Sequence, residues 1–300
     1  DGFAALNTAF LQDGAVVHIP EGETLLSPLN LIFLSTDQGH PSVSHPRILV
    51  IAGARSKATI IESYVSIAQT RSFTNTVAEI TIGEGAEINH YRILTEGDQS
   101  FHIGMARVHQ HDNSVFSSRS FVKGPAIGRY DLNVLLDGPG SSCTLNGLYI
   151  TSGNQHMDNY INIDHSKPHT TSRLNYKGVL DGKSRAVFGG TVYVREGAMK
   201  ADSLQSDKNL ILSPNAEVDS KPALFIYADD VKCGHGATAG NIDQDTVFYM
   251  RSRGLDLDTA SRLLIYGFAR EIIDTVHQEH LSIYLEKLFL DALPSYRFEF

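Results

Sequence analysis

The chain has only two cysteines and fewer basic than acidic residues, and each shortage closes off a class of function. Cys143 and Cys233 are too few for a disulfide framework, and their scarcity suits a reducing, cytoplasmic compartment. With 25 Lys and Arg against 34 Asp and Glu the formal charge is -9. No basic cluster interrupts that balance, so a nucleic-acid surface or an anionic membrane surface is not expected. No apolar run reaches the length needed to cross a bilayer. The opening DGFAALNTAFLQDG lacks the basic start and small-residue cleavage site of a signal peptide, and Asp1 can stand inside a longer protein. No Gly-x-x-x-x-Gly-Lys-Ser/Thr loop is present, which removes P-loop nucleotide hydrolysis. What remains, 42% hydrophobic and 20% charged, is the composition of a soluble globular protein.

Within that composition the chain offers short strand-like runs closed by Gly, Pro, Asn or Asp. From Ala15 they read VVHIP, NLIFLS, RILVIAG, ATIIESYVSI, TVAEITIGEG and EINHYRILTEG, and the pattern continues through SVFSSRSFV, YDLNVLLDG, CTLNGLYITSG, YINIDH, SRLNYKGVLDG, AVFGGTVYV and KNLILSPNAEV. No helix-length run with 3.6-residue apolar spacing interrupts them. An internal echo of apolar, turn, polar, apolar recurs at Ile82-Gly-Glu-Gly-Ala-Glu-Ile, Leu136-Asp-Gly-Pro-Gly-Ser-Ser, Leu180-Asp-Gly-Lys-Ser-Arg-Ala and Leu212-Ser-Pro-Asn-Ala-Glu-Val. Recurrence at short, even intervals favours a stacked β-helix, each coil burying its inward face on its neighbours, over a β-sandwich.

The period changes after Asp243, a side chain able to cap a helix. Thr246 to Arg251 reads as a short helix stopped by Gly254. Asp256 or Asp258 can cap a second, whose apolar stripe is Ala260, Leu263, Leu264, Gly267, Ile272, Ile273 and Val276. LSIYLEKLFLDAL makes a third, ending by Pro294. These helices are expected to close the end of the β core, or to offer a docking surface. The predicted division is a β-helix core over 1–240, a helical domain over 241–294 and a tail, 295–300, of no assigned role.

At the seam, Ala223 to Gly254 holds the one residue pair with clear chemical promise. If Val231 to His235 is extended, Cys233 and His235 project from the same face, before a glycine-punctuated turn from Gly236 to Gly240. Thiolate and imidazole suit zinc or an iron–sulfur cluster, but two ligands do not close a tetrahedral site. The rest must come from distant coils or, given the lack of other cysteines, from a second subunit. The bland alternative is a small buried thiol beside a hydrogen-bonded histidine.

Three other constellations are weaker. Asp229-Asp230 and Gly234-His235-Gly236 occur in polygalacturonase-like β-helix hydrolases, the rival reading. Here only three residues separate the two strings, and adjacent strand residues face opposite sides instead of flanking a scissile bond. Gly234 to Ala239 fits a relaxed dinucleotide fingerprint, yet helices follow it in place of a βαβ unit. His156, His165 and His169, with Asp158 and Asp164, could mark a metal site, although structural roles serve thirteen histidines as well.

Longer strings are more specific. Asn209 to Ser213, Ala216 to Pro222, Tyr227-Ala-Asp-Asp-Val-Lys-Cys-Gly-His-Gly-Ala-Thr238 and Phe248 to Gly254 resemble the SufB/SufD family of iron–sulfur cluster assembly scaffolds. Asp164 to His169, Ser172-Arg173 and Tyr176 to Val179 extend the likeness upstream. The resemblance implies a right-handed β-helix core with a C-terminal helical domain and a non-catalytic role. It further implies pairing through the C-terminal end of the core, with a SufB-like subunit or as a homodimer, and docking of a SufC-like ATPase on the helices. A transient cluster would form at the subunit interface, with none expected on the isolated chain. Of the ligands, His235 carries over with the family's Cys-x-His string, and Cys233 stands beside it. Ser206, in Leu204-Gln-Ser-Asp207, occupies a position where SufB-like chains offer cysteine, which favours the SufD side. Gly234 replaces a common serine, and the family's helical N-terminal region has no counterpart here.

Overall fold

Strand-forming runs repeated about every thirty residues can satisfy all their backbone groups if each pairs with the run one coil before and one coil after. The computed structural model, which describes residues 2–36, 39–67 and 71–293, has this arrangement. A helix, α1 (Gly2–Ala9), precedes β1 (Gly14–Ile19), β2 (Leu29–Ser35), β3 (Ser42–Ser44), β4 (Arg47–Ala52) and β5 (Lys57–Ser66). Then come β6 (Ser72–Ile82), β7 (Glu87–Thr95), β8 (Ser100–Gln110), β9 (Val115–Lys123), β10 (Ile127–Leu136) and β11 (Ser142–Thr151). The last strands are β12 (His156–His165), β13 (Thr171–Leu180), β14 (Arg185–Val194), β15 (Asp202–Ile211), β16 (Glu217–Ile226) and β17 (Lys232–Gly240). Helices α2 (Gln244–Ser252), α3 (Leu257–Ile273) and α4 (Glu279–Ala292) follow.

Alternate strands fall into two parallel sheets. One runs β1-β4-β6-β8-β10-β12-β14-β16, with β3 added beside β6, and the other runs β2-β5-β7-β9-β11-β13-β15-β17. The register advances by 26 residues where Phe101 meets Ile127 and by 33 where Gly14 meets Arg47. The fold is therefore a parallel β-solenoid, as the spacing of the runs predicts. Inward positions such as Ile48, Ile80, Leu132, Ile161 and Val192 face Ile60, Ile88, Phe116, Leu145 and Leu174 across the lumen. Each such column of buried aliphatic side chains locks the register, because a slip of one residue would turn every one outward.

The echo in the sequence is a coil corner. At each of its four occurrences an N–H reaches back three residues, from Ala86 to Gly83, Ser141 to Gly138, Ser184 to Asp181 and Ala216 to Ser213. A second feature of the corners is less visible in the sequence. Arg55, Gly85, Asn113, Gly140, His169, Lys200 and Asp230 all have φ between 53° and 72°. They stack one coil apart, and each of the first six donates its N–H to a carbonyl of the next corner, from Arg55 to Glu84 through Lys200 to Asp230. Left-handed geometry costs a non-glycine residue about 1 kcal/mol or more, and here the stacked hydrogen bond offsets it.

The lumen is not wholly apolar. His90 Nε2 lies 3.1 Å from Glu62 Oε1, Tyr64 donates to Glu62 at 3.0 Å, and the Arg92 guanidinium sits 4.3 Å from the centre of the Tyr130 ring. One coil away Glu96 accepts from Thr74 at 2.8 Å and from His102 at 3.2 Å. Burial raises the Glu62 carboxyl, but His90, Tyr64 and Arg92 outweigh it and hold the group below its ordinary range. Burial pushes His102 down against the pull of Glu96.

Several expectations need correction. Ser100–Gln110 forms a full central strand although its polar run of His and Arg gave no strand signal, and α1 was not anticipated. Gly236 to Gly240 is strand, not turn, since it pairs with Ser206 to Leu210 and has no positive φ. The capping aspartates are Asp243, which accepts from Thr246 N, and Asp256, which accepts from Thr259 N. In α3 the buried face is Ala260, Ser261, Ile265, Ala269, Ile272 and Ile273, while Leu263 is 47% exposed. The tail 295–300 lies outside the described residues.

The largest correction concerns where the helices sit. They do not close the end of the solenoid but lie along its flank, where Tyr91, Ile93, Phe121, Leu148, Ile150 and Val179 point outward into one apolar cluster with α3 and α4. Burying that outward stripe removes its apolar surface from water. Lys177, 2% exposed, fixes the helix there by donating to Phe268 O at 3.0 Å and to Glu271 Oε2 at 2.5 Å. Arg119 donates to Thr275 at 3.3 Å, and the His277 N–H reaches Tyr91 Oη at 3.4 Å.

Glycine columns inside the solenoid make room for tyrosines. A methyl group on Gly147 would meet the Tyr176 ring at 2.3 Å. Gly147→Ala is expected to destabilise the protein by about 1–3 kcal/mol through overpacking, read as a lower denaturant midpoint; an unchanged midpoint would show that the ring moves aside freely.

Candidate functional site

A parallel ladder ends where a strand has a partner on one side only. Among the described residues β17 pairs with β15 alone and β16 with β14 alone, so the C-terminal end of both sheets is open. The local sequence keeps it so. Gly234, Gly236, Ala237, Ala239 and Gly240 give β17 little side chain, and every residue from His235 to Gly240 is exposed. Around Gly236 and Gly240 an added Cβ would meet open space.

The candidate donors stand on this last strand. Cys233 lies beside Ser203 and His235 beside Gln205 in the ladder, and their odd-numbered parity puts both on one face, as the spacing predicts. They differ in access. His235 is exposed, whereas Cys233 is half-buried and packs against the luminal core. Burial raises the Cys233 thiol, the Ser203 backbone N–H opposes this, and the Asp202 charge adds to it. The thiol is therefore protonated at neutral pH, and a metal would have to displace that proton.

Nothing nearby completes a coordination sphere. Among the described residues no group of three His, Cys, Asp or Glu side chains is placed to hold a metal ion. Cys143 shares the column of Cys233 through Ser172 and Ser203, but it is three coils deeper, fully buried and pushed up to about 12 by that burial. The other constellations do not converge. His156 pairs with Asp158 at 2.6 Å, His165 is buried between Thr170 at 2.7 Å and Ser172 at 2.9 Å, and His169 forms a corner. Asp229 and Asp230 are exposed neighbours, with Asp230 ion-paired to Lys200. After Gly234 to Ala239 no further strand follows among the described residues, so no dinucleotide fold is formed by them there.

Directly beneath the last coil lies a group that the sequence reading passed over. Asp207 is fully buried, and its Oδ2 accepts from Ser220 on β16 and from Asn209, each at 2.8 Å. Asn209 in turn accepts from Tyr149 at 2.5 Å. Asp207 Oδ1 and Gln205 Oε1 are buried without a partner. Burial pushes the Asp207 carboxyl up to about 6, with Ser220 and Asn209 pulling the other way. The sequence signal was available: Gln205, Asp207 and Asn209 alternate along a strand whose even-numbered residues face out.

On the flank, α3 and α4 leave a shallow groove of about 450 Å³ between Thr259, Leu263, Tyr266, Leu290 and Leu293. Leu263 and Leu290 are exposed in it.

A parallel β-solenoid with an open terminal coil, Cys233 and His235 on the open edge and helices on its flank is a scaffold architecture. Sequence comparison gives the family. Residues 33–268 match the family model described as SUF system FeS cluster assembly, SufBD core domain, and the chain belongs to that family. It is 36% identical over 282 residues to an iron-sulfur cluster assembly SufBD family protein of Synechocystis, a match over 91% of this chain and 62% of the relative. It is 32% identical to the iron-sulfur cluster assembly protein SufD of Escherichia coli, over 93% of this chain and 67% of the relative. SufD of Bacillus subtilis is 25% identical, over 90% and 62%. The chain thus spans about two thirds of the length of these relatives.

The contrast between the two thiols is directly measurable. In the native protein iodoacetamide is expected to modify Cys233 slowly at pH 7.5 and faster as the pH is raised, and to leave Cys143 untouched. Intact-mass analysis after unfolding checks this, and a doubly modified native protein would contradict the burial of Cys143.

Proposed function

We propose that the chain is a non-catalytic scaffold subunit of a SUF-type assembly system, and that it helps to build and pass on iron–sulfur clusters at a subunit boundary. One observation carries this reading: Cys233 and His235 stand together on an unpaired strand edge, in reach of a second chain, with too few ligands of their own. The cluster is cargo. It would be held while the partner completes the ligand set, His235 donating through its ring nitrogen and Cys233 through sulfur once deprotonated. Family membership and the relatives' names support the chemistry. A SufB-like subunit is the proposed partner, with self-pairing as the homodimeric form, and the open edges of β16 and β17 would take its strands by β-augmentation.

The exposed groove on α3 and α4 is proposed to dock a SufC-like ATPase, whose cycle would open and close the boundary. Two free cysteines fit a reducing compartment such as the cytoplasm. Among the described residues no helix is long and apolar enough to cross a membrane.

His235→Ala, co-expressed with SufB-like and SufC-like partners, should lower cluster yield per complex by roughly tenfold or more while folding and association persist. Anaerobic absorption spectra with iron and sulfide counts measure it; an unchanged yield would remove His235 from the site. Independently, Leu263→Glu with Leu290→Glu should abolish co-purification of the ATPase and spare the SufB-like partner, and retention of the ATPase would move its docking site elsewhere.

A further inference from the structure

We propose that Asp207 makes assembly at the open end proton-linked: seating a second chain on the edges of β16 and β17 drives a proton onto this carboxyl. The inference rests on the pairing proposed above and adds its regulation. Asp207 belongs to β15, so only the strand β17 lies between it and the open edge, about 4.8 Å per step. It faces no cation. Its column neighbours are Tyr176 on β13 and Ala237 on β17, its bonded partners are Ser220 on β16 and Asn209 on its own strand, and Tyr149 of β11 reaches it through Asn209. The nearest titratable group on β17 is His235, which stands beside Gln205 and not beside Asp207.

Two orphan acceptors, Asp207 Oδ1 and Gln205 Oε1, occupy alternate positions on the same face of β15. Two acceptors facing the lumen lack a donor, and a proton on Asp207 supplies one. In the free chain the carboxyl titrates at about 6 because burial disfavours its charge. Covering the end with another layer of protein removes solvent from above and disfavours the charge further, so the assembled state binds the proton more tightly. The sign follows from linkage. Well below pH 6 both states are protonated and affinity is flat; between the free chain's value and the higher one in the complex, association takes up a proton and the dissociation constant rises with pH, by at most tenfold per unit.

The test measures association of the full chain with a SufB-like subunit by titration calorimetry between pH 5.5 and 8, in phosphate and in Tris at each pH. Wild type should take up as much as one proton per pair, with affinity falling as pH rises. Asp207→Asn, which keeps both accepted hydrogen bonds and puts an amide donor at the orphan position, should lose that proton and flatten the profile. A difference infrared spectrum of the wild-type complex against its free subunits needs no variant: a protonated carboxyl band must grow on assembly. Identical profiles for wild type and Asp207→Asn, or no such band, would overturn the proposal while leaving the pairing intact. No association at any pH would instead remove the pairing itself, and this inference with it.

Discussion

A parallel ladder has to stop somewhere, and its last strand keeps a row of N–H and C=O groups with nothing of its own chain to bond. Everything distinctive about this protein follows from how it handles that remainder. A helix across the end would have hidden the edge of β16 and β17. Instead α3 and α4 lie along the outer face of the second sheet, and the terminal strand is built from glycine and alanine around one thiol and one imidazole. An edge left bare, flat and small-chained is an aggregation hazard unless it has a proper partner. The candidate donors sit where such a partner would bind.

The interior shows the same economy. Charged side chains cost several kcal/mol to bury unpaired, and Glu62, His90, Arg92, Glu96 and His102 lie together inside the first coils, where cationic and anionic groups face one another. Asp207, at the other end, does not have that company. Glu62 has His90 and Arg92 beside it, whereas no cation is set against Asp207, and its nearness to the open edge gives that difference a meaning.

Much of this was legible in the sequence, and the rest was hidden for physical reasons. Val, Ile and Thr runs between turn residues gave the solenoid, and parity alone placed Cys233 with His235. The open edge was not legible, because an edge is a property of what lies beside a strand and not of the strand. The left-handed corner repeats in seven coils but is filled by Arg, Gly, Asn, His, Lys and Asp, so no residue type marks it. The strand β8 was invisible because its inward positions include His102 and Gly104, which answer to the polar lumen and not to a hydrophobic core. Leu263 misled the phase of α3: it is apolar yet points away from the solenoid, toward the groove.

The helices on the flank also bear on how the molecule can be divided. A cut near Gly240 looks natural in the sequence, where one periodicity gives way to another. Cohesion draws the line elsewhere: Tyr91, Phe121, Leu148 and Val179 form a greasy seam on the outside of the barrel-like stack that only α3 and α4 keep dry, and Lys177 would lose its carboxylate and its carbonyl together. A shortened version carrying the coils alone would therefore present water with an oily stripe along its flank.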